Sequence, residues 1–187
     1  MTSAGTADLQ PTLRGELVHL EPLRPEHFDA LFAAASDPLI WEQHPESTRY
    51  QRPVFERFFA GALESRGALL ARDAVTGEVI GSSRYHAYDP VRRDVEIGWT
   101  FLVRSRWGGR FNGEMKRLMI EHAFRFVDSV IFIVGVTNYR SQRAVEKIGG
   151  VREGMRVDAN GRDNVVFRLS PDAFAAARAG TPGSVGS

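Results

Sequence analysis

The order of elements along the chain predicts an α+β fold built on one mixed sheet. Two observations carry this. Strand-type segments follow one another without helices in the centre and again near the end, which is the signature of antiparallel hairpins. Between those runs lies one strand–helix–strand crossover, which requires a parallel pair. The order reads β-α-α-β-β-β-α-β-α-β-β. A dinucleotide fold, alternating strand and helix from its start, does not match it.

Residues 16–23 (ELVHLEPL) alternate Leu17, His19 and Glu21 against Val18, Leu20 and Pro22, as a strand does. Pro25 opens a helix through about residue 35, a position where the first turn has N–H groups to spare. The polar stretch 37–51 holds two prolines and reads as a loop. A helix over 53–65 follows, with Val54, Phe55, Phe58, Phe59, Ala62 and Leu63 at helical spacing on one face. Strands over 68–72 and 79–88 flank the turn signal Thr76 and Gly77, and a third strand covers 95–103. The loop 104–109 enters a helix over 112–126, where Met115, Leu118, Met119, Ala123 and Phe126 keep the 3-4 spacing. An apolar strand over 130–136, a short helix over 140–148 ended by Gly149 and Gly150, and a hairpin complete the fold. That hairpin pairs 151–157 with 164–169 around Asn160 and Gly161, and 171–179 forms a last helix.

At 187 residues the chain suits one domain, expected over 12–179, between flexible ends at 1–11 and 180–187. Apolar residues make up 43 %, enough for a sizeable core. Twenty-four Lys and Arg against 23 Asp and Glu leave a net charge of +1, which removes the footprint of a general nucleic-acid or membrane-surface binder. The absence of cysteine excludes disulfides, zinc–thiolate sites, iron–sulfur clusters and cysteine nucleophiles. The five histidines lack metal-ligand spacing, so no metal is expected. No apolar run approaches the roughly 18 residues of a membrane span. The polar first ten residues do not resemble a secretory signal, so a cytoplasmic location is expected.

The segment 95–126 carries the chemistry: a strand ends, a basic glycine loop turns, and an amphipathic helix begins. Unpaired N–H groups and partial positive charge at a helix N-terminus favour phosphate. Gly108 and Gly109 allow close backbone approach, while Arg104, Arg106 and Arg110 add charge. On these features alone an ordinary strand-to-helix loop with solvated arginines remains equally open. A second segment, Val136-Thr137-Asn138-Tyr139-Arg140-Ser141-Gln142-Arg143-Ala144, follows the next strand. Together the two segments resemble the GNAT superfamily of acetyl-CoA-dependent N-acetyltransferases, in particular the branch acting on ribosomal-protein N-termini. The resemblance spans roughly residues 12–170. It rests on Glu96-Ile97-Gly98-Trp99, on Trp107-Gly108-Gly109-Arg110-Phe111-Asn112-Gly113-Glu114, on Asn138 with Ser141, and on Gly154 with Arg162-Asp163. The loop departs from the family pattern at Ser105 and Arg110, where the latter replaces a small residue.

The resemblance implies a GNAT-like, mostly antiparallel central sheet with helices on both faces, and acetyl-CoA as cofactor. It places the cofactor on Phe101, Leu102, Val103, Trp107, Gly108, Gly109, Arg110, Phe111, Asn112, Gly113, Asn138 and Arg143, with a backbone N–H near 101–103 taking the carbonyl oxygen where two parallel strands splay. It implies direct acetyl transfer to a primary amine, from either a peptide N-terminus or a small molecule. Glu96 matches the acid that serves as base, and a carboxylate suits that task. Glu96 could equally partner Arg84 or Arg93 on a neighbouring strand. Ser141 matches the proton donor near the sulfur, with a helix-cap role as its alternative.

Trp41 and His44, in the loop that shapes the acceptor pocket in relatives, and Tyr85 are the candidate substrate contacts. Tyr85 and His86 alternate on one strand, so only one of them can face the site. His122, within the long helix, reads as packing. A homodimer resting on the 130–136 strand and the last hairpin is a further expectation, by analogy with the family. Two alternatives stand beside the enzyme: a non-catalytic acyl-CoA-binding protein, suggested by Arg110, and a nucleotide-binding domain, which fails on element order.

Overall fold

In the computed structural model, which describes residues 7–180, Leu13–Arg14 (β1) and Val18–Pro22 (β2) form an antiparallel pair at one edge of the sheet. Pro25–His27 make a 3-10 turn leading into α1 (Phe28–Ala35), and Pro53 lies in the first turn of α2 (Arg52–Glu64). Both prolines occupy positions whose N–H has no intrahelical acceptor. β3 (Ala68–Asp73) and β4 (Val79–Asp89) form a hairpin whose turn is held by the Asp73 carboxylate, accepting from Val75 and Thr76 N–H at 2.9 and 3.1 Å. β5 (Asp94–Leu102), α3 (Arg110–Ala123) and β6 (Ser129–Gly135) make the crossover. α4 (Tyr139–Lys147), the hairpin β7 (Val151–Val157) and β8 (Asp163–Leu169), and α5 (Pro171–Ala179) complete the chain.

The eight strands lie in the order β1-β2-β3-β4-β5-β6-β8-β7, and β5–β6 is the parallel pair. Two apolar clusters cover its faces. On one side, Phe28, Leu31, Phe55 and Phe59 of α1 and α2 meet Leu70 and Phe101. On the other, Met115, Met119 and Ala123 of α3, Val145 of α4 and Phe174 of α5 meet Val95, Ile97, Val130 and Phe167. Helices on both faces of a mostly antiparallel sheet are what the family resemblance implies. Among the described residues no helix is long and apolar enough to cross a membrane, and no cluster of His, Asp and Glu could hold a metal ion.

Several expectations change. The strand expected over 130–136 as support for a dimer is β6, which sits inside the sheet between β5 and β8 and offers no edge. β7 is the edge, with Val151, Met155 and Val157 exposed. Residues 7–11, expected with the loose end, pack instead: Ala7 and Leu9 touch the α3-side core, and the Asp8 carbonyl lies 2.8 Å from His122 Nε2. The rest of the expected flexible ends, 1–6 and 181–187, falls outside the described residues. α3 begins at Arg110 and not at 112, because Gly108 and Gly109 take the left-handed φ values (+106° and +96°) and the helix starts immediately after them.

The segment joining β1 to β2 is fastened to α3 by one carboxylate. Glu114 accepts backbone N–H groups of Glu16, Leu17 and Val18 at 3.1, 2.7 and 2.8 Å, and its side chain is 11 % exposed. Gly15 is required beside it, since a Cβ there would lie 2.4 Å from Glu114 Oε2. Glu114→Ala leaves three donors without an acceptor. Chemical denaturation is expected to show a loss of about 2–4 kcal/mol, more than one unmade buried hydrogen bond costs.

Candidate active site

β5 and β6 are hydrogen-bonded only at their beginnings, through Asp94 with Ser129, Val95 with Val130 and Glu96 with Ile131. Beyond Glu96 they diverge. β6 stays paired to β8 from Val130 to Gly135, while β5 stays paired to β4 up to Leu102. Val103 N–H donates to the Ile80 carbonyl at 2.8 Å, so it is taken. Antiparallel alternation then turns Leu102 N–H the opposite way, into the gap between β5 and β6. Of the three backbone positions expected near a reacting carbonyl, Leu102 is therefore the one facing the opening. The Phe101 ring instead joins Trp41, at 4.9 Å, on the α1–α2 side.

At the end of the gap, Gly109 caps α3 and its carbonyl accepts Gly113 N–H at 2.8 Å, the first bond of the helix. The N–H groups of Arg110, Phe111 and Asn112 thus have no intrahelical acceptor and point out of the helix start. Asn112 Oδ1 is buried without a hydrogen-bond partner. Arg110 occupies the first helical residue with its side chain exposed, and the unusual backbone falls on the two glycines before it. The bulky residue therefore does not obstruct the turn. Of the other loop arginines expected to add charge, Arg104 pairs with Asp37 and Arg106 with Asp73, at 2.5 and 2.9 Å. Trp107 donates from Nε1 to the Leu102 carbonyl at 2.9 Å, and the Arg140 guanidinium lies 5.1 Å from its ring centre. That contact joins the α3 loop to the start of α4.

Asn138 caps α4, its Oδ1 accepting Ser141 N–H at 3.2 Å, which leaves Nδ2 as the group able to donate elsewhere. Ser141 is half-buried in the first helical turn and Arg143 is exposed. Beside Asn138 opens a cleft of ≈ 580 Å³, lined by residues 42–45, by 135–138 at the end of β6 and just beyond it, by Arg162 of the β7–β8 turn, and by Asp163 and Asn164 at the start of β8. His44 lies in this cleft with its pKa pushed down to about 4, first by burial and then by Arg49 and Arg140. Its imidazole is neutral at physiological pH.

Glu96 lies where the strands part, its side chain 11 % exposed and Oε2 3.6 Å from His86 Nδ1. Burial raises its pKa, offset in turn by His86, Arg156 and Arg84. His86 packs against Trp99 at 4.7 Å, and the Arg84 guanidinium lies 4.7 Å from the same indole. Arg93, the other partner considered for Glu96, is bound to Asp128 at 2.8 Å.

Two of the expected substrate contacts are corrected. Tyr85 is fully buried, and its hydroxyl donates to the Met119 carbonyl at 2.6 Å, beneath the sheet. Register with β5 gives the face of Glu96 to His86 instead. Trp41 is also fully buried and donates from Nε1 to the Ala35 carbonyl at 2.7 Å, so it supports His44 from behind without reaching a substrate. Arg49, Arg84 and Arg162 were not among the predicted contacts. Arg84 was legible as a partner on the strand facing Glu96, but the other two lie on loops without periodicity.

The profile of a family described as the acetyltransferase (GNAT) domain matches residues 18–151. A GCN5-related N-acetyltransferase structure from Brucella melitensis superposes with a TM-score of 0.78 at 24 % identity, covering 91 % of this chain and 85 % of that one. Mycobacterium smegmatis RimJ in complex with CoA-disulfide gives 0.69 at 18 %, over 90 % of each chain. Spermidine N-acetyltransferase from Vibrio cholerae, in complex with CoA and spermine, gives 0.67 at 14 %, over 86 % of this chain and 99 % of that one. A search of curated protein sequences finds no match.

The glycines of this loop separate backbone conformation from space. A Cβ at Gly109 or Gly113 would meet no atom within 4 Å, yet only Gly109 has a positive φ. Gly109→Ala is therefore expected to cost about 1–2 kcal/mol through strain alone. Gly113→Ala, inside the helix, is expected to stabilise by about 0.4–1 kcal/mol. Thermal unfolding of the two variants checks the contrast.

Proposed function

The chain belongs to the GNAT acetyltransferase family, and from that premise we propose that it transfers an acetyl group from acetyl-CoA directly to a primary amine, of a peptide N-terminus or a small molecule. The observation that carries this reading is the parting of β5 and β6 at Glu96, between the N-termini of α3 and α4. The residues present suit a pantetheine-linked diphosphate. The free N–H groups of Arg110, Phe111 and Asn112 would hold phosphate oxygens, with Arg110 adding charge from the surface. The orphaned Asn112 Oδ1 and the Asn138 amide offer an acceptor and a donor along the gap. When bound, acetyl-CoA supplies the activated acetyl group as a thioester.

The chain's own groups do the rest. An ammonium cannot attack, so a proton must leave the acceptor; an α-amine at a pKa of about 8 gives it up more readily than a lysine at about 10.4. Glu96, largely shielded from water and raised in pKa, takes that proton directly or through water. His86 stands beside it to hold the carboxylate in place. Leu102 N–H points where negative charge builds on the reacting oxygen. The Ser141 hydroxyl, in the first turn of α4, holds the proton that balances the departing sulfur. With Arg110 clear of the turn, the non-catalytic alternative loses the feature that suggested it.

Glu96 must be ionised to work, so activity rises with pH through its pKa, which lies above the ordinary carboxylate range. The kcat/KM profile is expected to show that acidic limb. Glu96→Gln should remove the limb and lower kcat about 100-fold or more. Acetyl-CoA at about 100 times its Kd should still raise stability by about 2.7 kcal/mol in both proteins. An unshifted melting curve with acetyl-CoA would overturn the reading, whereas a retained limb would overturn only the assignment of Glu96.

A further inference from the structure

Half-buried arginines in this protein generally hold a carboxylate. Arg72 pairs with Glu21, Arg106 with Asp73, and Arg168 with Asp94 and Glu153. The acceptor side of the site breaks that pattern. Arg84 is 6 % exposed, yet its Nε is buried without a partner, and its one hydrogen bond is a long 3.5 Å contact from Nη2 to the Phe58 carbonyl. Arg49 Nε and Arg162 Nη1 are likewise buried and unpartnered. None of the three has an ion pair among the described residues. Arg49 and Arg84 lie over the Phe58 ring at 4.5 and 5.6 Å, and Arg49 also covers Trp41 at 5.0 Å. The rings fix where the guanidinium groups sit but leave their edge N–H groups open. Arg84 feels the charge of Arg49, and Arg49 that of Arg162, as like charges, against opposing contributions from Glu96 on Arg84 and from Glu46 on Arg49.

Burying guanidinium N–H groups without a hydrogen-bonded anion is costly, and an incoming oxyanion would relieve that cost at all three residues. The carboxylates nearby do not fill that role. Glu46 acts on Arg49 and Arg162 through its charge but forms no ion pair with either and is bonded by the Thr48 hydroxyl at 2.6 Å, Glu42 and Asp163 sit on the exposed rim of the cleft, and Glu96 is the base. Arg162 lines the cleft itself, and Arg84 and Arg156 both act on Glu96. The cationic set therefore reaches from the cleft to the base.

We propose that the acceptor is an amine bearing an anionic group, carboxylate or phosphate, which seats on Arg49, Arg84 and Arg162 while its amine reaches Glu96. This rests on the acetyl-transfer reading above. A planar guanidinium binds either oxyanion through two parallel hydrogen bonds. A polyamine, by contrast, brings like charge to the same arginines.

The test uses the whole protein with acetyl-CoA and follows thiol release with matched acceptors: β-alanine against β-alaninamide, O-phosphoethanolamine against ethanolamine, and spermidine. The anionic member of at least one pair is expected to have a kcat/KM about 10- to 100-fold above its neutral partner, the span of one or two charge-assisted hydrogen bonds. Which pair responds separates carboxylate from phosphate. Arg49→Gln and Arg162→Gln, both on loops, should remove that preference mainly through KM and leave the neutral member nearly unchanged. Preference for spermidine or for the neutral members, or equal losses for both members in the variants, would overturn the proposal. Should no acceptor react, calorimetry of β-alanine and O-phosphoethanolamine against the CoA-loaded protein decides: binding abolished in Arg162→Gln supports it, and absence of binding overturns it. A protein whose melting curve ignores acetyl-CoA fails at the earlier step, so the two failures are distinguishable.

Discussion

β5 and β6 part after Glu96 because each is held by a different neighbour. β6 follows β8 along its whole length, while β5 follows β4 through two bulges, one at Ala87 of β4 and one at Trp99 of β5. Both of those residues take a positive φ, near 50°, which only an enforced local geometry sustains in a residue with a side chain. A bulge adds twist and bends the strand that carries it, so β5 turns away from β6, which pairs with β8 without a register shift. Parallel pairing cannot follow that divergence. The amides left facing the gap must be satisfied by something, and in a folded domain buried backbone groups rarely go unpaired. The opening is therefore a consequence of how the sheet is built, and the helix starts of α3 and α4 flank it because both helices spring from the ends of the parted strands.

The same bulge explains which side chains reach the site. Strict alternation from Val95 and Ile97 would place Phe101 on the α3 side. The extra residue in β5 moves it to the α1–α2 side, where it meets Trp41 and Phe58. On β4, the pairing of His86 with Glu96 gives Tyr85 to the core.

The elements themselves were legible in the sequence, because apolar spacing, prolines at helix starts and glycine turns are local signals. The glycine turn before α3 and the asparagine cap of α4 were readable for that reason. What escaped depends on partners. A two-residue strand such as β1 has no period to detect, and its place is set by Glu114, nearly a hundred positions away in the chain. Alternation showed that only one of Tyr85 and His86 could face the site, but the phase comes from register with β5, which no local pattern encodes. Arg104 and Arg106 read as charges for a ligand until Asp37 arrives from the loop after α1 and Asp73 from the end of β3. Composition could not reveal the opposite case either. A net charge of +1 is compatible with every arginine being paired, or with a few left bare in one place.

Where those bare arginines lie bears on the chemistry as well as on recognition. A cationic neighbourhood disfavours any further cation, as His44 demonstrates: burial, Arg49 and Arg140 together drive its pKa down to about 4. An ammonium entering the same region meets the same opposition and yields its proton at lower pH than it would in water. Glu96 feels the converse effect, since Arg156 and Arg84 favour its ionised form against the burial that raises its pKa. In the proposed reaction, pressing the acceptor amine towards its neutral form and the burial that raises the Glu96 pKa both favour proton transfer to Glu96, whereas the arginines beside Glu96 oppose it. An anion on the acceptor would compensate the arginines and weaken this pressure. The arrangement is therefore most effective when the anion and the amine are held at opposite ends of the site, with the anion towards Arg162 at the cleft and the amine at Glu96.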